Sequence, residues 1–87
     1  MKTYHLIVST PDGNVFEEQA AMLTVRGSEG DLAVLADHIP LITAVKPCKC
    51  TIVLPDETEK TADIGGGILT VNSDKTTLLS SDFKWNE

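Results

Sequence analysis

Aromatic side chains are scarce in this chain: Tyr4, Phe16, Phe83 and Trp85 are the full set. A core built with so few rings has to be mostly aliphatic. Basic side chains are scarce as well, with 7 Lys and Arg against 13 Asp and Glu and a formal net charge of −6. That balance argues against nucleic acid, whose affinity comes mainly from cations set against phosphates. It argues equally against direct adsorption on anionic lipid. A basic protein partner is compatible with it. No run approaches the ~20 apolar residues of a membrane-crossing helix. The opening Met1-Lys2-Thr3-Tyr4-His5 lacks the apolar stretch of a secretory leader. Cysteine is limited to Cys48 and Cys50, two apart. In an extended chain a bridge between them would be strained, so a secreted disulfide scaffold is not expected. The expectation is a soluble chain kept in a reducing compartment.

What is present is a rhythm. The 87 residues suffice for one domain. Apolar residues come in short runs separated by turn residues, the spacing of an all-β domain. The runs are 3–9, 14–18, 22–26, 31–35, 42–45, 48–54, 58–64, 68–72 and 75–80. Pro11-Asp12-Gly13-Asn14 supplies a turn in which proline presets φ and Gly13 permits φ > 0. Cys48, Cys50, Ile52 and Leu54 fall on one face of their run. Gly65-Gly66-Gly67 predicts a corner or bulge. No stretch predicts a helix longer than a turn. Sheets of this kind bury a face only by stacking or closing. The expected fold is therefore an antiparallel β-sandwich or flattened barrel over residues 1–80. Residues 81–87 are expected to be a polar C-terminal tail.

Chemistry is thinly represented. His5 and His38 are the only histidines. His38, in the loop Asp37-His38-Ile39-Pro40, could serve a serine or cysteine nucleophile as base. The plainer reading is an ordinary loop histidine. Cys48 and Cys50 with the histidines make four borderline metal ligands, but Cys-x-Cys within a strand lacks the knuckle spacing of zinc sites. The three glycines at 65–67 lack the Lys-Ser/Thr of a phosphate loop. No cofactor and no metal are expected. Gly27-Ser28-Glu29-Gly30-Asp31 sets two carboxylates on a tight turn, either a solvated turn or an acidic contact for a basic partner loop. Phe83 and Trp85 are the only plausible platform for a stand-alone sandwich that binds a ligand such as a sugar.

From Val25 to Pro47 the chain resembles the signature stretch of ATP synthase epsilon subunits. The elements that carry the resemblance are Gly27-Ser28-Glu29-Gly30, His38 with Pro40-Leu41, and Thr43 with Lys46-Pro47. Tyr4-His5-Leu6 and Gly66-Gly67-Ile68-Leu69 are similar to that family too. The resemblance implies a sandwich of about ten strands in the central stalk, coupling the gamma subunit to the membrane c-ring without doing chemistry. It implies a c-ring interface at Glu29 and Asp31, and a gamma-subunit interface at Thr10, His38 and Thr43. Leu41 and Ile42 are expected to support the acidic loop from the core. The membrane is reached only through the complex, on the cytoplasmic face of the bacterial plasma membrane. Ala33, Ile39 and Cys48 depart from the usual glycine, alanine and glycine. Family members continue into a C-terminal pair of helices that inhibits hydrolysis and in some binds ATP. With no helical stretch before Glu87, neither function is expected here.

Overall fold

The computed structural model describes residues 2–37, 39–73 and 75–86. They form ten strands: β1 (Tyr4–Thr10), β2 (Gly13–Ala20), β3 (Met22–Gly27), β4 (Gly30–Leu35), β5 (Leu41–Val45), β6 (Cys48–Val53), β7 (Glu59–Ile64), β8 (Gly67–Val71), β9 (Lys75–Ser80) and β10 (Phe83–Trp85). The expected all-β fold is borne out. The strands run β10-β7-β6-β3-β5-β8-β9-β1-β2, with β4 branching from β3, in one sheet folded over until it nearly closes.

The turns follow from their residues. Gly13 takes φ 124 after Pro11-Asp12, and Gly30 takes φ 128 after Ser28-Glu29. Between β6 and β7, Leu54 N–H donates to Thr58 O at 2.8 Å and Thr58 N–H donates to Asp56 Oδ1 at 2.9 Å. The Thr58 donors hold the Asp56 carboxyl below its usual range. Gly66 takes φ 95 at the corner before β8. A Cβ there would stand 2.9 Å from Val45 O.

Two features depart from the sequence expectations. Residues 81–87, set aside as a polar tail, contain β10, which pairs with β7 through Phe83↔Ile64, Lys84↔Asp63 and Trp85↔Ala62. Three residues are too few to show an alternating pattern, and β7 lies some twenty positions back. The second departure is that β1 runs parallel to β9, with His5↔Lys75 through Ser9↔Leu79. The other pairings are antiparallel. A register shift at Val8/Ser9 leaves Val15 as the extra residue of a bulge in β2.

The core is aliphatic, as the composition requires. Leu6, Leu23, Ile52, Leu69 and Leu78 are fully buried, and Phe16 is the one ring counted among the buried residues. Each such side chain stabilises the fold by about 1.5–3 kcal/mol relative to exposure. Cys50 belongs to this core with its thiol free. Burial, reinforced by the nearby Cys48, pushes its thiol up to about 12. Burial raises the Tyr4 phenol too, and its hydroxyl donates to Val34 O at 2.8 Å.

These shifts predict a weakness to alkali. The folded state keeps the Cys50 thiol protonated, whereas an unfolded chain ionises it near ~8.5. Its contribution is therefore complete below that pH and is lost as pH rises through about 12. The unfolding free energy from urea titration should fall from about pH 9 upward, by at most about 1.4 kcal/mol per pH unit for this group. Cys50→Ala should flatten the slope. An unaltered slope in that variant would assign the alkaline loss to other groups.

Candidate functional site

The β3–β4 hairpin is a two-residue turn. Gly27 and Gly30 face each other as the last pair, and Ser28-Glu29 form the tip. The hairpin is tied to β5 by Ser28 N–H donating to Ala44 O at 3.1 Å and Lys46 N–H donating to Arg26 O at 2.9 Å. Glu29 and Asp31 are both exposed. They differ in partners. Arg26 and Asp31 are directly opposite in the register, and Arg26 Nε donates to Asp31 Oδ1 at 3.1 Å. Both side chains of that pair are open to water, so it contributes little to stability. It does leave Glu29 as the carboxylate at the tip with no ion pair among the described residues.

Between the hairpin and β5 lies an open groove of about 350 Å³, lined by Gly27 to Leu32 and by Leu41, Ile42 and Thr43. The lining combines the apolar Leu32, Leu41 and Ile42 with the carboxylates of Glu29 and Asp31. Thr43 is half-buried in it, with Oγ1 donating to Ala44 O at 3.3 Å. The structure thus brings Glu29, Asp31 and Thr43 to one groove. Thr10 is elsewhere, at the β1–β2 turn, three strands from β5 in the sheet order. Its hydroxyl serves that turn, accepting from Asp12 N–H at 3.2 Å and donating to Gly13 O at 3.3 Å. His38 lies outside the described residues.

The expectation that Leu41 and Ile42 both support the loop from the core is corrected for Ile42. Leu41 is half-buried and packs against the core, while Ile42 is 75% exposed. Neighbours in a strand point to opposite faces, so the two cannot share a role. Ile42 belongs to an outward apolar face that the sequence reading missed. Cross-strand registers place Ala44, Ile68, Leu79 and Ser9 in one row, and Ile42, Thr70, Thr77 and Ile7 in the next. Ile68 and Leu79 are 49% and 50% exposed. A signal was available in the doublets Leu41-Ile42, Ile68-Leu69 and Leu78-Leu79. A strand with one wet face alternates, and two adjacent apolar residues cover both faces.

The other candidates are placed as follows. Cys48 Sγ accepts from Arg26 N–H at 3.4 Å. His5 stands on β1, and among the described residues no group of three His, Cys, Asp or Glu side chains gathers to hold a metal. Phe83 and Trp85 meet edge-on, with centroids 4.7 Å apart. Lys60 Nζ lies over the Trp85 ring at 5.3 Å. These rings are engaged with the protein itself.

The family described as "ATP synthase, Delta/Epsilon chain, beta-sandwich domain" matches residues 3–86. The chain belongs to this family. Among the relatives of this delta/epsilon sandwich is the sodium-ion-specific ATP synthase epsilon chain of Acetobacterium woodii, 35% identical over 86 residues, 99% of this chain and 65% of the relative. The ATP synthase epsilon chain of Priestia megaterium is 38% identical over 80 residues, 92% of this chain and 59% of the relative. The delta/epsilon sandwich thus spans less than two thirds of either relative. In fold it is similar to a chain in the Euglena gracilis mitochondrial ATP synthase OSCP/F1/c-ring structure, with TM-score 0.90, 21% identity, and coverage of 95% of this chain and 53% of that one. A chain of the Tetrahymena thermophila mitochondrial ATP synthase central stalk and c-ring matches with TM-score 0.79, 13% identity, and coverage of 94% and 66%.

Proposed function

We propose that the chain is a non-catalytic rotor subunit in the central stalk of a proton- or sodium-translocating ATP synthase, where it couples the gamma subunit to the c-ring. The observation that carries this reading is the outward apolar face of Ile42, Ile68 and Leu79, beside an acidic hairpin on the same domain. Water is a poor neighbour for such a face, and exposed apolar patches of this kind mark protein contacts. Membership in the delta/epsilon family supplies the complex in which the contacts would be made. In this reading the outward apolar face meets gamma, and Thr43 at the groove, Thr10 at the β1–β2 turn and His38 are further gamma contacts. Glu29 and Asp31 meet the polar loops of the ring. The domain is then held at the cytoplasmic face of the bacterial plasma membrane by protein contacts alone.

Size-exclusion chromatography with the gamma subunit of the same synthase tests the proposal, and a one-to-one complex is expected. Separate elution of the folded chain would remove the gamma contact. The Glu29→Lys/Asp31→Lys variant should fold and still co-elute with gamma. Its hold on the ring should weaken roughly tenfold or more, because attraction becomes repulsion. ATP-driven ion pumping by vesicles carrying the reassembled synthase should fall accordingly. Unchanged pumping would remove both carboxylates from the ring contact.

A further inference from the structure

The sheet that nearly closes has two ends, β10 and β2, and the described pairings join neither to the other. The seam is bridged by rings. Phe16 on β2 meets Trp85 on β10 edge-on, with centroids 6.2 Å apart. Phe83 packs against Trp85 from within β10, and Lys60 of β7 covers the Trp85 ring. Trp85 and Phe83 are only half-buried against the core. On its other side β10 is held by three register pairs with β7, extended by Asn86 N–H donating to Thr61 O at 2.8 Å. β7 itself is secured to β6 by six pairs.

The segment leading into β10 is fastened differently. Ser81 N–H and Ser80 Oγ both donate to Gly66 O, each at 3.1 Å. Ser80 is buried, and residues 81–82 sit so close over Gly65 that a Cβ there would come within 2.7 Å of both side chains. The chain is thus pinned at 80–82 and only lightly held beyond.

We propose that β10 is a strap: residues 83–86 detach from β7 as one unit, hinged at the pinned Ser80–Asp82 corner, while the other nine strands stay folded. Release breaks the Phe16–Trp85 contact, separates Lys60 from the ring, and bares the β7 edge from Ala62 to Ile64. An unpaired strand edge is a template for another strand. The strap therefore sets whether this edge is covered by the chain itself. Opening of this kind separates from global unfolding when little buried surface holds the element.

Native-state hydrogen exchange on the 87-residue chain reads this directly. The bonded amides of residues 83–86 should share one exchange rate. That rate should be at least about 100-fold faster than the slowest core amides of β6 and β8 and insensitive to urea below the unfolding transition. Lys60→Ala, a surface change remote in sequence, should speed all of them by a common factor of roughly two to five. Core amides should be unmoved. Exchange of the 83–86 amides together with the core, with the core's urea dependence, would overturn the strap. So would protection that rises steadily from Asn86 inward, which is fraying of an end. A Lys60→Ala chain with unaltered exchange in this segment would overturn it as well.

Discussion

Gly67→Ala should leave a chain that does not fold. Gly67 faces Ser80 where β8 meets β9, and an added Cβ would stand 1.8 Å from the Leu79 carbonyl oxygen and 2.8 Å from its carbon. Both atoms are backbone, so no side chain can rotate away. Relief requires parting β8 from β9, and both strands carry fully buried core residues, Leu69 and Leu78. A domain of this size has about 4–13 kcal/mol in hand. A clash of this kind belongs among substitutions costing more than about 4 kcal/mol. Gly13→Ala is the useful control. It has positive φ but nothing within 4 Å of the new Cβ, so only backbone strain of about 1–2 kcal/mol is expected. Far-UV circular dichroism with urea titration separates the two. A Gly67→Ala chain within 1 kcal/mol of the parent would show that β8 and β9 need no close approach.

The second large effect is on assembly. Ile42→Asp should fold with a stability change inside about 0.5 kcal/mol, since the side chain already faces water. Its affinity for gamma should fall roughly thirtyfold or more, the cost of losing a central apolar contact. Leu41→Asp, one residue earlier, should do the reverse. It places a carboxylate against the core and destabilises the fold before any partner is involved. Co-elution and urea melts on the two variants form a cross. Wild-type binding by Ile42→Asp would take the outer face of β5 out of the interface.

Much of the fold was legible because strand formation here is local. In the Cys48–Val53 strand the fully buried residues, Cys50 and Ile52, lie on the face the pattern gives, and Lys49 on the other face is exposed. Pro11 with Gly13, and Gly30 after Ser28-Glu29, announce their turns through φ requirements that any reader of the chain can apply. What stayed hidden depends on partners distant in sequence. Phe83-Lys84-Trp85 is a strand only because β7 and Phe16 are there to receive it. Nothing near β1 says that its inner neighbour is β9. The candidate site divides in the same way. Glu29 and Asp31 were visible as an acidic turn, but the Arg26 partner of Asp31 appears only with the register. Thr10 and Thr43 look alike on paper, and the sheet order sets them three strands apart.

The parallel pairing of β1 with β9 constrains how the chain is made. The β1–β2 hairpin leaves the ribosome before the other strands of the domain and can form from its own turn. One side of β1 must then wait for residues 75–79, about seventy positions later. Until those residues emerge, Leu6 and Val8 have no complete core to enter, and β1 presents an open edge. Closure is therefore an event that follows synthesis of residues 75–79. Its speed is set by joining strands about seventy residues apart rather than by any local step. A nascent chain stalled before residue 75 should hold hairpins but no barrel, and should be a substrate for holding chaperones.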